Sequence, residues 1–284
     1  MKIALSTEST VDLTSELIKK YNINIIPYTV ILGEEYKEDG TFPTSEIFDF
    51  VKKTKILPKT TAINEFQYEE FFGNLLKEND AVIHISLSGE ITSTVRNAKL
   101  VAEKMKNVYI IDSKSLSTGI ALLAIYASKL IEKGLEPQEI VEKVSARIPD
   151  VQASFVIDRL DYLYKGGRCS SLQLLGSNIL KIHPQILLVG GKMITGKKYR
   201  GPMDVVVKNY CEDVLKEFNN PDRSIVFITY TVATEKMVEN AKAALINNGF
   251  LPENIYQTNA GCTITSHCGE NTLGILYIND GGKE

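Results

Sequence analysis

From residue 2 to residue 112, short runs rich in isoleucine and valine alternate with segments whose apolar residues recur at helical spacing, and this alternation limits the possible folds more than any other feature. The runs are KIALS (2–6), NINIIPYTVIL (22–32), AVIHISLS (81–88) and NVYIID (107–112). Between them, VDLTSELIKKY, TSEIFDFVKKT, NEFQYEEFFGNLLKEN and STVRNAKLVAEKM read as amphipathic helices, several behind a Ser, Thr or Asn suited to capping. Strand and helix in alternation require crossover connections and predict a mostly parallel sheet. Ligands of such sheets sit beyond the carboxyl ends of strands, and Ser88 lies at such an end.

After a helical stretch at 117–147 the pattern changes. VQASFVID (151–158) leads to a short helix and the Gly166-Gly167 pair, and HPQILLVGGKMITGKKYR (183–200) reads as two strands joined by a Gly-Gly hairpin turn, which means antiparallel pairing. SIVFITYT, EKMVENAKAALINNG, NIYQTNA and TLGILYI follow as strand, helix, strand and strand. The expectation is an α/β protein of two domains, a mostly parallel α/β domain over 1–150 and an α+β domain with antiparallel strands over 151–284, packed together with a cleft between them.

Composition excludes several classes. A formal net charge of −3 offers no general basic surface for nucleic acid. The opening MKIALSTEST lacks the apolar core of a signal peptide, and no segment supplies the roughly 18 uninterrupted apolar residues of a membrane span; the expected location is the cytoplasm. Four cysteines in so long a chain make no disulfide framework. Cys262 and Cys268 flank His267, but without a C-x-x-C pair the expectation is no metal site.

Polar clusters fall at predicted strand ends and turns: STESTVD (6–12), PKTTAIN (58–64), SLSGEITST (86–94), KGGR (165–168) with KKYR (197–200), and TSHCGENT (265–272). Each hydroxyl cluster, taken alone, reads as helix capping, and KGGR as a helix C-cap. His84 and His183 read as structural. There is no phosphate-binding G-x-x-x-x-G-K-[ST], no G-x-G-x-x-G and no G-x-S-x-G elbow. A Ser88–His267 pair leaves an acyl esterase or thioesterase open as a competing class, and a lipid-sensing regulator is a third.

Taken in order, these clusters resemble the DegV family, whose better-understood members are fatty-acid-binding subunits of bacterial fatty acid kinase. STESTVDL is similar to the family's D-S-T-x-D-L with Glu8 where aspartate is usual, PKTT to P-x-T-S, LSG to L-S-G-T-Y, and IDSKSLSTG (111–119) to I-D-S-K-S-x-S-x-G. RLDYLYKGGR (159–168) resembles R-L-E-Y-L-x-K-G-G-R, and SHCGENTLGI (266–275) resembles A-H-x-G-P-G-x-x-G-x. The chain departs from the pattern at Ala62-Ile63, Glu90-Ile91 and Glu270-Asn271.

The resemblance implies a lipid tunnel between the two domains, with a long-chain fatty acid whose carboxylate is held by Thr60 and Ser88, with His267 close by. It implies that Arg168 and Arg200 stand beside the carboxylate and support phosphoryl transfer. The chain would then be a non-catalytic subunit with no cofactor of its own. ATP and magnesium would belong to a partner, the kinase catalytic subunit, and contact with a membrane surface would be transient.

Overall fold

A computed structural model describes residues 1–172 and 182–283. The first half runs β1 (Ile3–Glu8), α1 (Ser15–Lys20), β2 (Ile23–Ile26), β3 (Thr29–Leu32), β4 (Glu35–Glu38), α2 (Ser45–Thr54), β5 (Lys59–Thr61), α3 (Glu65–Leu76), β6 (Ala81–Ser86), α4 (Thr94–Ala102), β7 (Val108–Asp112), α5 (Thr118–Glu132) and α6 (Pro137–Arg147). The rest runs β8 (Val151–Val156), α7 (Leu160–Gly166), β9 (His183–Val189), β10 (Lys192–Tyr199), α8 (Met203–Glu217), β11 (Val226–Tyr230), α9 (Glu235–Asn247), β12 (Ile255–Asn259), α10 (Cys262–Cys268) and β13 (Leu273–Ile278).

The expected parallel sheet is present, in the order β2-β1-β6-β7. A six-stranded sheet, β10-β9-β8-β13-β11-β12, is antiparallel except for the β11–β12 pair. The hairpin turns at Gly190 and Gly191, both at positive φ, as the tight turn that matches strand twist requires.

One expectation is corrected. NINIIPYTVIL is two strands: Pro27 has no N–H for a ladder, and the chain leaves the parallel sheet there. After it, β3 enters a separate antiparallel sheet, β4-β3-β5, which carries Thr60 opposite Val30.

Helix α5 explains how the two large sheets share one core. Its sequence TGIALLAIYASKLIE is apolar almost all round, which suits only a helix covered on every side. It packs on β1 and β6 on one side and on β8 and β13 on the other. The largest apolar cluster accordingly joins Ile83 and Ile85 to Phe155, Ile186 and Leu276, crossing the boundary near residue 150. Among the described residues no helix is long and apolar enough to cross a membrane.

Candidate functional site

At the carboxyl ends of β1 and β6, the fully buried Glu8 accepts hydrogen bonds from Ser86 Oγ (2.6 Å), Tyr68 OH (2.8 Å) and the Leu87 N–H (2.9 Å), with His84 Nε2 at 3.2 Å. Burial pushes this carboxyl up. The hydrogen bond and field of His84, with the Ser86 and Leu87 bonds, outweigh it and hold Glu8 below the usual carboxylate range. His84, whose Nδ1 meets Ser6 Oγ at 2.9 Å, thus braces the end of β6.

Beyond this anchor, Ser88 does not point at open space. Its hydroxyl donates to the Gly191 carbonyl at 2.8 Å and accepts the Glu90 N–H at 3.3 Å. Gly89 follows because α4 lies too close for a side chain: a Cβ there would sit 2.7 Å from Val95 Cγ1. Its N–H donates to Asp112 Oδ1.

Thr60 and His267 do meet, 207 residues apart in sequence, with Oγ1 and Nε2 separated by 2.9 Å. His267 Nδ1 is buried with no hydrogen-bond partner among the described residues and faces Gly166, where a Cβ would lie 2.8 Å away. KGGR therefore uses its glycines differently: Gly166 makes room for the imidazole, and Gly167, at φ +71°, caps α7 in the left-handed conformation. Burial, with the Arg168 charge added, pushes His267 down to about 4, so the imidazole is neutral at physiological pH. Arg168 itself is exposed and turns back to donate to the Gly166 carbonyl.

Helix α10 carries His267, and its N-cap Gly261 has no side chain to satisfy the first N–H groups. The N-terminal half supplies the acceptors. Asp39 accepts from the N–H groups of Cys262 (2.8 Å) and Thr263 (3.2 Å) and from Ser9 Oγ (2.9 Å), and Asp12 accepts from the Gly261 N–H (2.7 Å) and the Ser117 hydroxyl. A short helix late in the sequence is thus seated on residues from its beginning, which is how His267 comes to face Thr60.

Two cavities adjoin this pair. The inner one, about 480 Å³, is bounded largely by apolar side chains, among them Tyr28, Leu87, Ile91, Leu116, Met193 and Ile264, with Glu90 and Arg96 also on its wall. The outer one, about 450 Å³, carries Lys59, Lys165 and Arg168. Thr60, Arg168 and His267 line both, so they form the partition between an apolar and a basic space. Leu116, Ile264 and Cys268 also border a narrow crevice of about 30 Å³ that reaches Phe155 and Leu276.

Of the residues singled out from sequence, Thr60, His267 and Arg168 converge here. Ser88 lies next to cavity-lining Leu87 and Gly89 with its hydroxyl engaged elsewhere, and Arg200 is exposed past the end of β10 and lines neither cavity. Lys59 and Lys165 were within reach of a sequence reading, since they flank PKTT and KGGR; Asp12 and Asp39 had no local signal for their role. Among the described residues no group of three or more His, Cys, Asp or Glu is arranged to hold a metal ion, and the four cysteines are free and buried.

The partition can be tested at Gly166. In Gly166→Ala the methyl group must displace the imidazole, at a cost of about 1–3 kcal/mol for an overpacked site, against about 1 kcal/mol that alanine gains over glycine in a helix. The expected result is a folded protein of slightly lower melting temperature whose His267 ring proton resonances have moved. An unmoved imidazole signal would show that the contact is slack.

Fold and site together define a class: an α/β protein with two large sheets around one buried helix, and an apolar cavity headed by a hydroxyl–imidazole pair. Residues 2–280 match the sequence profile described as "Uncharacterised protein, DegV family", and the chain belongs to that family. It is 29% identical over 281 residues to a DegV domain-containing protein of Caldanaerobacter subterraneus subsp. tengcongensis, covering 97% of this chain and 98% of that one. Over 208 residues it is 29% identical to a fatty acid-binding protein of Thermotoga maritima, covering 71% of this chain and 72% of the relative. Among solved structures, DegV of Bacillus subtilis, described as a fatty acid binding protein, superposes with a TM-score of 0.82 at 26% identity, covering 98% of this chain and 99% of that one. A DegV-family protein of Thermus thermophilus, described by its fatty acid binding, superposes with a TM-score of 0.88 at 24% identity over 98% and 99% of the two chains.

Proposed function

We propose that this protein binds a long-chain fatty acid, its acyl chain in the inner cavity and its carboxylate at Thr60 and His267, and presents the carboxylate to a partner ATP-dependent kinase for acyl-phosphate formation. The observation that carries this reading is the partition: one polar pair divides an apolar space that suits a hydrocarbon chain from a basic space that suits phosphate. The fatty acid binding described for the Bacillus subtilis and Thermotoga maritima relatives supports the same ligand class.

The energetics fit a carrier. At about 0.8 kcal/mol per methylene, roughly fifteen buried methylenes contribute on the order of 12 kcal/mol before association costs, so the chain dominates affinity. The polar pair mainly sets position. A buried N–H left without an acceptor is rarer than a bare acceptor, which favours the tautomer with the proton on His267 Nε2, donated to Thr60. The Thr60 O–H is then free to donate to a carboxylate. Ser88 would join it only by giving up Gly191. The acyl chain would run past Leu116, Ile264 and Cys268 toward the narrow crevice, forming the tunnel.

An ionised carboxylate is a nucleophile at neutral pH without a general base. One of its oxygens would bond to the terminal phosphorus of ATP as the bond to the bridging oxygen breaks and ADP leaves. This chain's part is to position the carboxylate and offset charge with Arg168, and Arg200 has the same proposed role at the kinase contact. ATP and magnesium would come with the partner, encounter would occur in the cytoplasm, and the lipid would exchange at a membrane surface. The esterase reading is disfavoured because the serine and histidine it needs have separate partners, Gly191 and Thr60, and because no group among the described residues orients His267 through Nδ1.

Mass spectrometry of lipid extracted from the purified protein tests the reading. A co-purified or readily loaded long-chain acid is expected, and a protein that takes up none overturns it. With the kinase, ATP and magnesium, Arg168→Ala and Arg200→Ala are expected to keep the lipid while losing acyl phosphate at saturating kinase. Restoration by more kinase would assign the affected arginine to docking instead.

A further inference from the structure

The inner cavity has a seam. On one side its wall comes from the loop after β6, through Leu87, Gly89, Glu90 and Ile91, and next to it from the β9–β10 hairpin, through Met193. These pieces come from different halves of the chain, and the hairpin tip is fastened across the join. The Ser88 hydroxyl donates to the Gly191 carbonyl at 2.8 Å. Gly191, at φ +86°, seats so closely that a Cβ would lie 2.8 Å from Lys114 Cδ and 3.3 Å from Glu90 Cγ, besides striking Ser88 Oγ. Glu90 then reaches Lys192 on the hairpin at 3.6 Å and Lys114 at 3.7 Å, and Asp112 holds Lys114 at 2.9 Å.

We propose that the Gly190–Gly191 tip is a strap over the inner cavity, closed by Ser88–Gly191 and Glu90–Lys192 and released to let the acyl chain pass between the loop and Met193; this rests on the fatty-acid reading. The fastening suits a gate because it is weak. It consists of one neutral hydrogen bond and ion pairs whose members are 37–69% exposed, a set that favours the closed state by about ten- to a hundredfold. Opening needs rotation at Gly190 and Gly191 and parting of the Lys192–Val189 and Met193–Leu188 pairs at the end of the hairpin, a local opening of the kind that falls in the microsecond-to-second range. Glu90 and Ile91, where the chain departs from the family's T-Y, both line the cavity, and Glu90 also ties the strap.

A gate that opens before ligand passes changes association and dissociation by the same factor and leaves the equilibrium unmoved. Lys192 lines neither cavity, and Lys192→Ala removes one tie without touching the ligand. Stopped-flow fluorescence with cis-parinaric acid, displaced by excess oleate, is expected to show both rates raised about two- to fivefold with Kd unchanged from wild type. Amide exchange over 189–193 should quicken in the same variant. Unchanged rates in Lys192→Ala and in the Lys114→Ala, Lys192→Ala double variant would overturn the strap, as would a change confined to Kd. A wild-type protein that binds no parinaric acid would overturn the fatty-acid reading and the strap with it, an outcome distinct from normal binding at unaltered rates.

Discussion

Thr60→Val is expected to weaken binding of a free long-chain fatty acid about 10- to 100-fold and binding of its methyl ester, whose carbonyl accepts only a weaker neutral bond, by about a few-fold. The substitution keeps the branched shape and removes only the hydroxyl that lies 2.9 Å from His267 Nε2. A hydrogen bond to a charged group is worth about 1.5–3 kcal/mol, which converts to that range of affinity, whereas the ester carries no charge for the hydroxyl to meet. Since the chain's burial is worth several times more, lipid should still be found on the variant, badly placed for phosphorylation. Titration calorimetry with the acid and the ester checks it. Equal losses for both would mean that Thr60 packs against the chain, and no loss for either would place the carboxylate elsewhere.

The second large effect concerns Asp12, which helps hold α10 by accepting the Gly261 N–H and the Ser117 hydroxyl. Burial pushes its carboxyl up to about 8, with Asp39 adding to the rise and the Ser117 and Gly261 bonds opposing it. The folded protein therefore keeps the proton on Asp12 between about pH 4 and 8, where the unfolded chain has released it. Since the native state then binds more protons, this group makes stability fall as pH rises through that window, by up to about 1.4 kcal/mol per unit.

Asp12→Asn resembles the protonated form and removes the dependence. Chemical denaturation at pH 5 and pH 8.5 is expected to show the variant gaining on wild type by several kcal/mol at the higher pH. Stability curves that run parallel would mean that Asp12 is ionised in the fold. His267 contributes with the other sign: its folded pKa is depressed, so the stability it lends is present above about pH 6.5 and is lost as pH falls toward 4. Between about pH 4 and 6.5 the two slopes oppose each other in the wild type, so Asp12 is read above pH 6.5, where His267 no longer contributes, and below it from the difference between Asp12→Asn and wild type.

What could be read from the linear chain was whatever depends on near neighbours. The periodicities of KIALS, AVIHISLS and NVYIID correspond to strands, because alternating or continuous apolar runs have few other ways to be buried. Gly190-Gly191 announced a hairpin because a turn with two positive φ angles accepts little else. Thr60 and His267 stood out through the motifs around them. Ser88 also stood out, but its motif could not say which acceptor its hydroxyl would find, and that acceptor is a carbonyl 103 residues away.

Tertiary structure alone decided the rest, since each remaining feature joins segments with no sequence relation. NINIIPYTVIL reads as one strand through Pro27; only the fold breaks it there and sends β3 to a different sheet, where it pairs with Thr60's strand. Asp12 and Asp39 look like ordinary turn residues until α10 arrives with uncapped N–H groups and a glycine small enough to admit both carboxylates, 3.2 Å from where its Cβ would be. Gly166 reads as helix punctuation until an imidazole occupies the space its missing side chain leaves. Backbone preferences are local and survive in the sequence as patterns. Which hydroxyl meets which ring, and what fills the gap beside a glycine, depends on how two sheets pack around α5, and that arrangement exists only once the core has formed.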